Sequence, residues 1–166
     1  QALSTLKPEK KDVQILISDG LSAEAIHHNI REMLPILEDG LKSHGLFFGK
    51  HMVIPNGRVK LSESVGNQVE AKMVILLIGE RPGGDALSSR SMSAYLTYRL
   101  FDEETQKKAA LFSGNPNIRS EVTVISNIYQ GGIPAIEAAS LVVEKAVQIL
   151  EYRAAGNRLE NLLYGK

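Results

Sequence analysis

The chain has 166 residues, of which 43% are apolar and 23% charged, the composition of a single soluble globular domain with one core. Lysine plus arginine and aspartate plus glutamate both number 19, so no net field favours nucleic acid or an anionic membrane, and no run approaches the roughly 20 apolar residues that span a bilayer. Cysteine is absent, which excludes disulfides, thiol catalysis and thiolate metal sites.

The start at Gln1, with a lysine-rich lead before the first strand pattern, is expected to be a trimmed or processed one with no secretory signal. Residues 13–17 form a β-rich apolar run that reads as a buried strand, and Ser18-Asp19-Gly20 supplies turn chemistry after it. From Ile26 the apolar positions Ile30, Met33, Leu34, Leu37 and Leu41 follow the three-and-four spacing of one helix face. Ser22 is the expected N-cap and Gly45 the stop, with a kink at Pro35. Residues 52–54 read as a strand, Asn56-Gly57 as a tight turn leading into Arg58, Val59 and Lys60, and residues 63–69 as a short exposed helix. The uninterrupted apolar run 73–78 predicts a central strand covered on both faces, ending in Gly79-Glu80-Arg81-Pro82-Gly83-Gly84.

A strand is predicted over 93–98, followed by a charged stretch at 102–108 and a turn at Asn115-Pro116-Asn117, together a surface excursion. Residues 122–125 read as a strand, then Gln130-Gly131-Gly132 precedes an amphipathic helix with Ala139, Val142, Val143, Ala146 and Leu150 on one face and its expected end at Gly156. Strands separated by helices predict an α/β fold: a Rossmann-like three-layer sandwich whose mostly parallel or mixed sheet is flanked by helices, with ligands at the carboxyl ends of its strands. One domain over 12–156 is expected, with 1–11 and 157–166 as terminal extensions.

Few residues announce chemistry. The Ser18-Asp19-Gly20 turn could meet a phosphate with its backbone N–H groups, but neither a GxGxxG nor a Walker sequence accompanies it, and turn formation with helix capping is the plainer reading. Glu80 follows the most buried-looking strand, where an α/β ligand crevice lies, and its carboxylate can accept from amide or hydroxyl donors; an ion pair with Arg81 or a neighbour is the competing reading. His27 and His28 are adjacent and so point apart on a helix, and with His44 they are expected at the surface, not on a metal. Gly131-Gly132 permits close backbone approach or is merely the loop before the helix. No GxSxG elbow is present, so a serine hydrolase has no support.

Four segments, Val13-Gln14-Ile15-Leu16-Ile17-Ser18-Asp19-Gly20-Leu21-Ser22, Gly57-Arg58-Val59, Val74-Ile75-Leu76-Leu77-Ile78-Gly79-Glu80-Arg81-Pro82-Gly83 and Ile125-Ser126-Asn127-Ile128-Tyr129-Gln130-Gly131-Gly132, together resemble the small subunit of ethanolamine ammonia-lyase, in order and in spacing. The resemblance runs from about residue 12 to about residue 155 and implies a part in converting ethanolamine to acetaldehyde and ammonia, with an adenosyl radical from adenosylcobalamin abstracting substrate hydrogen. It places substrate and radical in the large subunit's barrel and the cobalamin between the two subunits. The implied cofactor contacts are Val59, Glu80 and Val124, with no catalytic residue and no metal ligand on this chain. Val124 stands where some relatives carry cysteine, which suits a main-chain contact. An Asp-x-His-x-x-Gly signature is absent, in keeping with base-on cofactor binding.

The resemblance further implies a large-subunit partner in a higher hetero-oligomer, no activity without that partner, and residence in the bacterial cytoplasm within an ethanolamine-utilisation microcompartment. Two departures are expected: the family's amino-terminal region is missing, and residues 99–119 form a longer excursion than in relatives. The alternative is a free-standing α/β module that binds cobalamin or a nucleotide without catalysis.

Overall fold

The computed structural model describes residues 11–80 and 91–165. The strands are β1 (Val13–Ser18), β2 (Met52–Val53), β3 (Met73–Gly79), β4 (Met92–Arg99) and β5 (Ser120–Ile128). The helices are α1 (Ala23–Ser43), α2 (Leu61–Val69), α3 (Glu103–Ser113), α4 (Ala135–Tyr152) and α5 (Gly156–Tyr164). Among the described residues the strands form one mixed sheet in the order β2-β1-β3-β4-β5, with β1 parallel to β2 and β3, and β4 antiparallel to β3 and β5. The fold is α/β, as the alternation of patterns predicts, and its layers are those of a three-layer sandwich.

Every residue of β3 is buried, as its unbroken apolar run predicts for the middle strand. Its side chains alternate between faces. Met73, Ile75 and Leu77 enter the main core with Met33, Leu37 and Leu41 of α1 and Val142, Ala146 and Ile149 of α4. Val74, Leu76 and Ile78 enter a smaller cluster on the second face, against Leu16, Val65 of α2 and Tyr95 of β4. α1 starts where Ser22 accepts a hydrogen bond from the Ala25 amide at 3.2 Å, remains helical through Pro35, and ends at Ser43 before the left-handed Gly45.

Three elements differ from expectation. The helix predicted over 63–69 starts at Leu61 and is not simply exposed: Ser62, Gly66 and Val69 are buried, because Gly66 lets α2 lie directly on Val74 and Arg99. The excursion contains an ordered helix, α3, with Thr105 and Ala109 turned inward and Glu103–Lys107 and Glu104–Lys108 paired at 3.2 and 3.3 Å on its outer face. Gly156 does not end α4, which stops at Tyr152 with Arg153 left-handed; it begins α5 instead. Residues 157–164, expected as part of a terminal extension, are therefore helical, with Leu159 fully buried and the Arg158 guanidinium bonded twice to the Glu121 carboxylate at 2.8 and 2.9 Å.

Candidate ligand cleft

The chain leaves β1 towards β2 on one side, and β3 lies on the other, so the carboxyl ends of these strands surround a topological switch point. Open α/β sheets hold ligands at such points. A cleft of about 490 Å³ lies there, walled by Gly20 and Leu21 after β1, by residues 56–59 after β2, and by Ile78, Gly79 and Glu80 at the end of β3.

The Ser-Asp-Gly turn builds this cleft from within. Ser18 Oγ accepts from the amides of Gly57 at 2.8 Å and Gly20 at 3.3 Å, and Asp19 Oδ1 accepts from the Asn56 amide at 2.6 Å. The Leu21 amide donates to Gly79 O at 2.9 Å. These polar groups tie three loops together, so the turn reading accounts for them and the phosphate reading gains no support. Two glycines make the closeness possible: a Cβ on Gly57 would stand 2.7 Å from Ser18 Oγ, and one on Gly79 would collide with Ser22 O and stand 2.7 Å from Asp19 O.

Val59 and Glu80 both line the cleft, Val59 being 37% exposed and Glu80 half-buried. The Glu80 amide donates to Ser91 O at 3.3 Å, which extends the β3–β4 ladder by one step. The two-residue period of β3 carries the Glu80 side chain onto the second face, after Leu76 and Ile78, and there the Tyr95 hydroxyl donates to Glu80 Oε1. Burial, then that hydrogen bond, then the carboxylate's charge push the Tyr95 hydroxyl up to about 12, so it is a protonated donor at neutral pH. Arg81, the other partner proposed for Glu80, lies outside the described residues, as does the rest of the Arg81-Pro82-Gly83-Gly84 run.

Val124 does not line the cleft. It is 44% exposed on β5, directly across from Tyr95 in the β4–β5 register, with Val122 also exposed on the same face. The structure thus brings Val59 and Glu80 together and sets Val124 two strands away, with Tyr95 between. Tyr95 was missed by sequence reasoning. The signal available was parity: Ser93, Tyr95 and Thr97 alternate with the apolar Met92, Ala94, Leu96 and Tyr98, but their placement over β3 depends on pairing register.

A bulge closes the far side, where β5 uses three steps from Ile125 to Ile128 against two from Ala94 to Met92, with Asn127 left-handed at φ 66°. The Gln130-Gly131-Gly132 turn then folds on itself, the Gly132 amide donating to Tyr129 O at 3.0 Å and the Ile133 amide to Asn127 O at 2.9 Å, which accounts for it as a loop before α4. The histidines His27, His28 and His44 are exposed; His28 Nε2 lies 3.5 Å from Glu24 Oε1, and His44 Nδ1 is 2.9 Å from Gly40 O at the end of α1. Among the described residues no group of three or more His, Asp or Glu is arranged to hold a metal ion, and no helix is long and apolar enough to cross a membrane.

Compared with known families, the chain matches the ethanolamine ammonia-lyase light chain (EutC) over residues 1–160. The match spans every strand of the sheet and the cleft, and reaches into α5. A light chain implies a heavy-chain partner, and so a hetero-oligomer. The chain therefore belongs to the ethanolamine ammonia-lyase light chain family, whose members form part of an ammonia-lyase enzyme complex.

Proposed function

We propose that this chain helps to hold adenosylcobalamin, base-on, at its junction with the large subunit through Val59, Glu80 and Val124, and that the complex converts ethanolamine to acetaldehyde and ammonia. The observation that carries the reading is the shared cleft of Val59 and Glu80 at the switch point, where Glu80 is bonded to Tyr95, the residue across from the exposed Val124. The available groups suit a corrin and its nucleotide tail. Glu80 offers a carboxylate to amide and hydroxyl donors, while Val59 and Val124 offer main-chain polar groups and small apolar contacts. A surface cleft whose Glu80 shares a sheet face with the exposed Val122 and Val124 fits a cofactor that a second protein covers better than one enclosed by this chain alone.

When bound, adenosylcobalamin supplies the radical chemistry, and the large subunit supplies the substrate site. The residues of this chain bind, orient and exclude water. The light chain is expected to be inactive alone.

The test reconstitutes the complex from purified large subunit and either wild-type or Glu80→Ala light chain, and titrates cobalamin by visible absorbance alongside acetaldehyde formation. Loss of a hydrogen bond to a charged group costs about 1.5 to 3 kcal/mol, so the apparent Kd should rise about tenfold to a hundredfold without unfolding the domain. An unchanged Kd removes Glu80 from the site. Tight cobalamin binding by the isolated chain would instead favour the free-standing module.

A further inference from the structure

Tyr95 occupies a position that no cofactor contact so far named explains. It lies on β4 between Leu76 of β3 and Val124 of β5, its ring against the smaller apolar cluster and its hydroxyl on Glu80 Oε1. Among the described residues no helix covers Val122 and Val124 of β5 on this side, since α2 sits over Val74 and Arg99, towards the opposite end of the sheet. The oxygens of the Glu80 carboxylate lie beyond three rotatable side-chain bonds. Without a fixed donor it would sample several rotamers and lose that freedom only on binding.

We propose that Tyr95 is the positioning residue of the cobalamin site: by occupying one oxygen of Glu80 it holds the carboxylate in a single orientation for the ligand, and its ring joins the Glu80 cleft to the Val124 face as one continuous surface. The inference rests on the reading of Glu80 as a cobalamin contact. The hydroxyl is suited to the role because it remains a donor throughout the neutral and mildly alkaline range. A phenylalanine at this position would keep the packing and lose only the donor.

The experiment is a double-mutant cycle on the assembled two-subunit enzyme, with Tyr95→Phe, Glu80→Ala and both together, reading the apparent Kd for cobalamin by visible absorbance, the KM and kcat for adenosylcobalamin, and the unfolding midpoint of each light chain. Tyr95→Phe is expected to weaken cobalamin binding about fivefold to tenfold, raising KM while kcat at saturating cofactor stays unchanged. The double variant should bind no worse than Glu80→Ala alone, because Tyr95 acts through Glu80. Additive losses, or wild-type affinity in Tyr95→Phe beside a weakened Glu80→Ala, overturn the positioning role while leaving Glu80 in the site. Wild-type affinity in Glu80→Ala overturns the underlying reading and the positioning role with it. Should Tyr95→Phe fail to assemble, Glu80→Asp serves: its shortened carboxylate cannot meet the same hydroxyl, so binding should fall about tenfold although the charge is kept, and undiminished binding counts against the proposal.

Discussion

The two faces of the sheet are built to different ends. The first is closed by α1, α4 and α5, and the side chains that β3 and β4 send into it, from Met73 to Tyr98, are buried and apolar. The second is closed over Val74 by α2, but farther along it changes character: Tyr95 and Glu80 are only partly buried, and Val122 and Val124 stand exposed. Burial of apolar area stabilises the domain through the first face, whereas on the second the exposed Val122 and Val124 side chains are available to another molecule. One strand, β3, serves both, because its alternation sends Leu77 to one face and the row Leu76, Ile78, Glu80 to the other.

If that division holds, stability should respond to the first face and cofactor binding to the second. The largest expected effect is Leu77→Ala, which removes a fully buried side chain from the main core and should lower unfolding free energy by about 2 to 5 kcal/mol in a denaturant titration. Glu121→Ala is expected to follow at about 3 kcal/mol, since it leaves the Arg158 guanidinium, only 8% exposed, without the carboxylate that pins α5 to β5. Where either variant still assembles with the large subunit, its cobalamin affinity should stay close to wild type. A weakened affinity at full assembly would show that the faces are coupled.

The same division explains what could be read from the sequence. The first face was legible because period-two strands and three-and-four helices state their own geometry, so β3 and α1 emerge within a residue or two of their ends, and α4 emerges with its apolar face although it stops at Tyr152, before Gly156. α3 did not emerge as a helix, since its buried contribution is confined to small or polar residues, Thr105 and Ala109, and its charges read equally well as a loop. β5 runs beyond its predicted ends because Glu121 is committed to Arg158 of α5, and the bulge at its far end interrupts the alternation. At the site, Val59 and Glu80 were assigned by family resemblance, and the position of Glu80 after the central strand gave it a physical reason. Tyr95 was invisible because its partnership with Glu80 spans two strands whose register no local pattern states.

A smaller effect is expected at Val124, where side chain and main chain can be separated. Val124→Ala should change stability by no more than about 0.5 kcal/mol, as is usual for an exposed position away from the core. If its contact with the cofactor is through the backbone, cobalamin affinity in the complex should also move by less than about threefold. A larger fall would assign the contact to the valine methyl groups and make the exposed Val122 and Val124 of β5 an apolar surface in their own right.

The finest distinction between the faces is one of pH. The Tyr95 hydroxyl ionises at about 12 in the folded chain against 10.0 for an ordinary tyrosine, because burial and the Glu80 carboxylate both disfavour the phenolate. The protonated hydroxyl therefore stabilises the fold; its contribution is complete below about pH 10 and is lost as the pH climbs through about 12. Comparing wild type with Tyr95→Phe by denaturant unfolding across this range should give a constant difference up to about pH 10 and a shift against the wild type above it. Absorbance titration near the tyrosinate band should show one late-titrating group fewer in the variant. A difference that stays flat to pH 12 would mean that Tyr95 reaches solvent freely, and a hydroxyl so solvated would no longer hold Glu80 in one orientation.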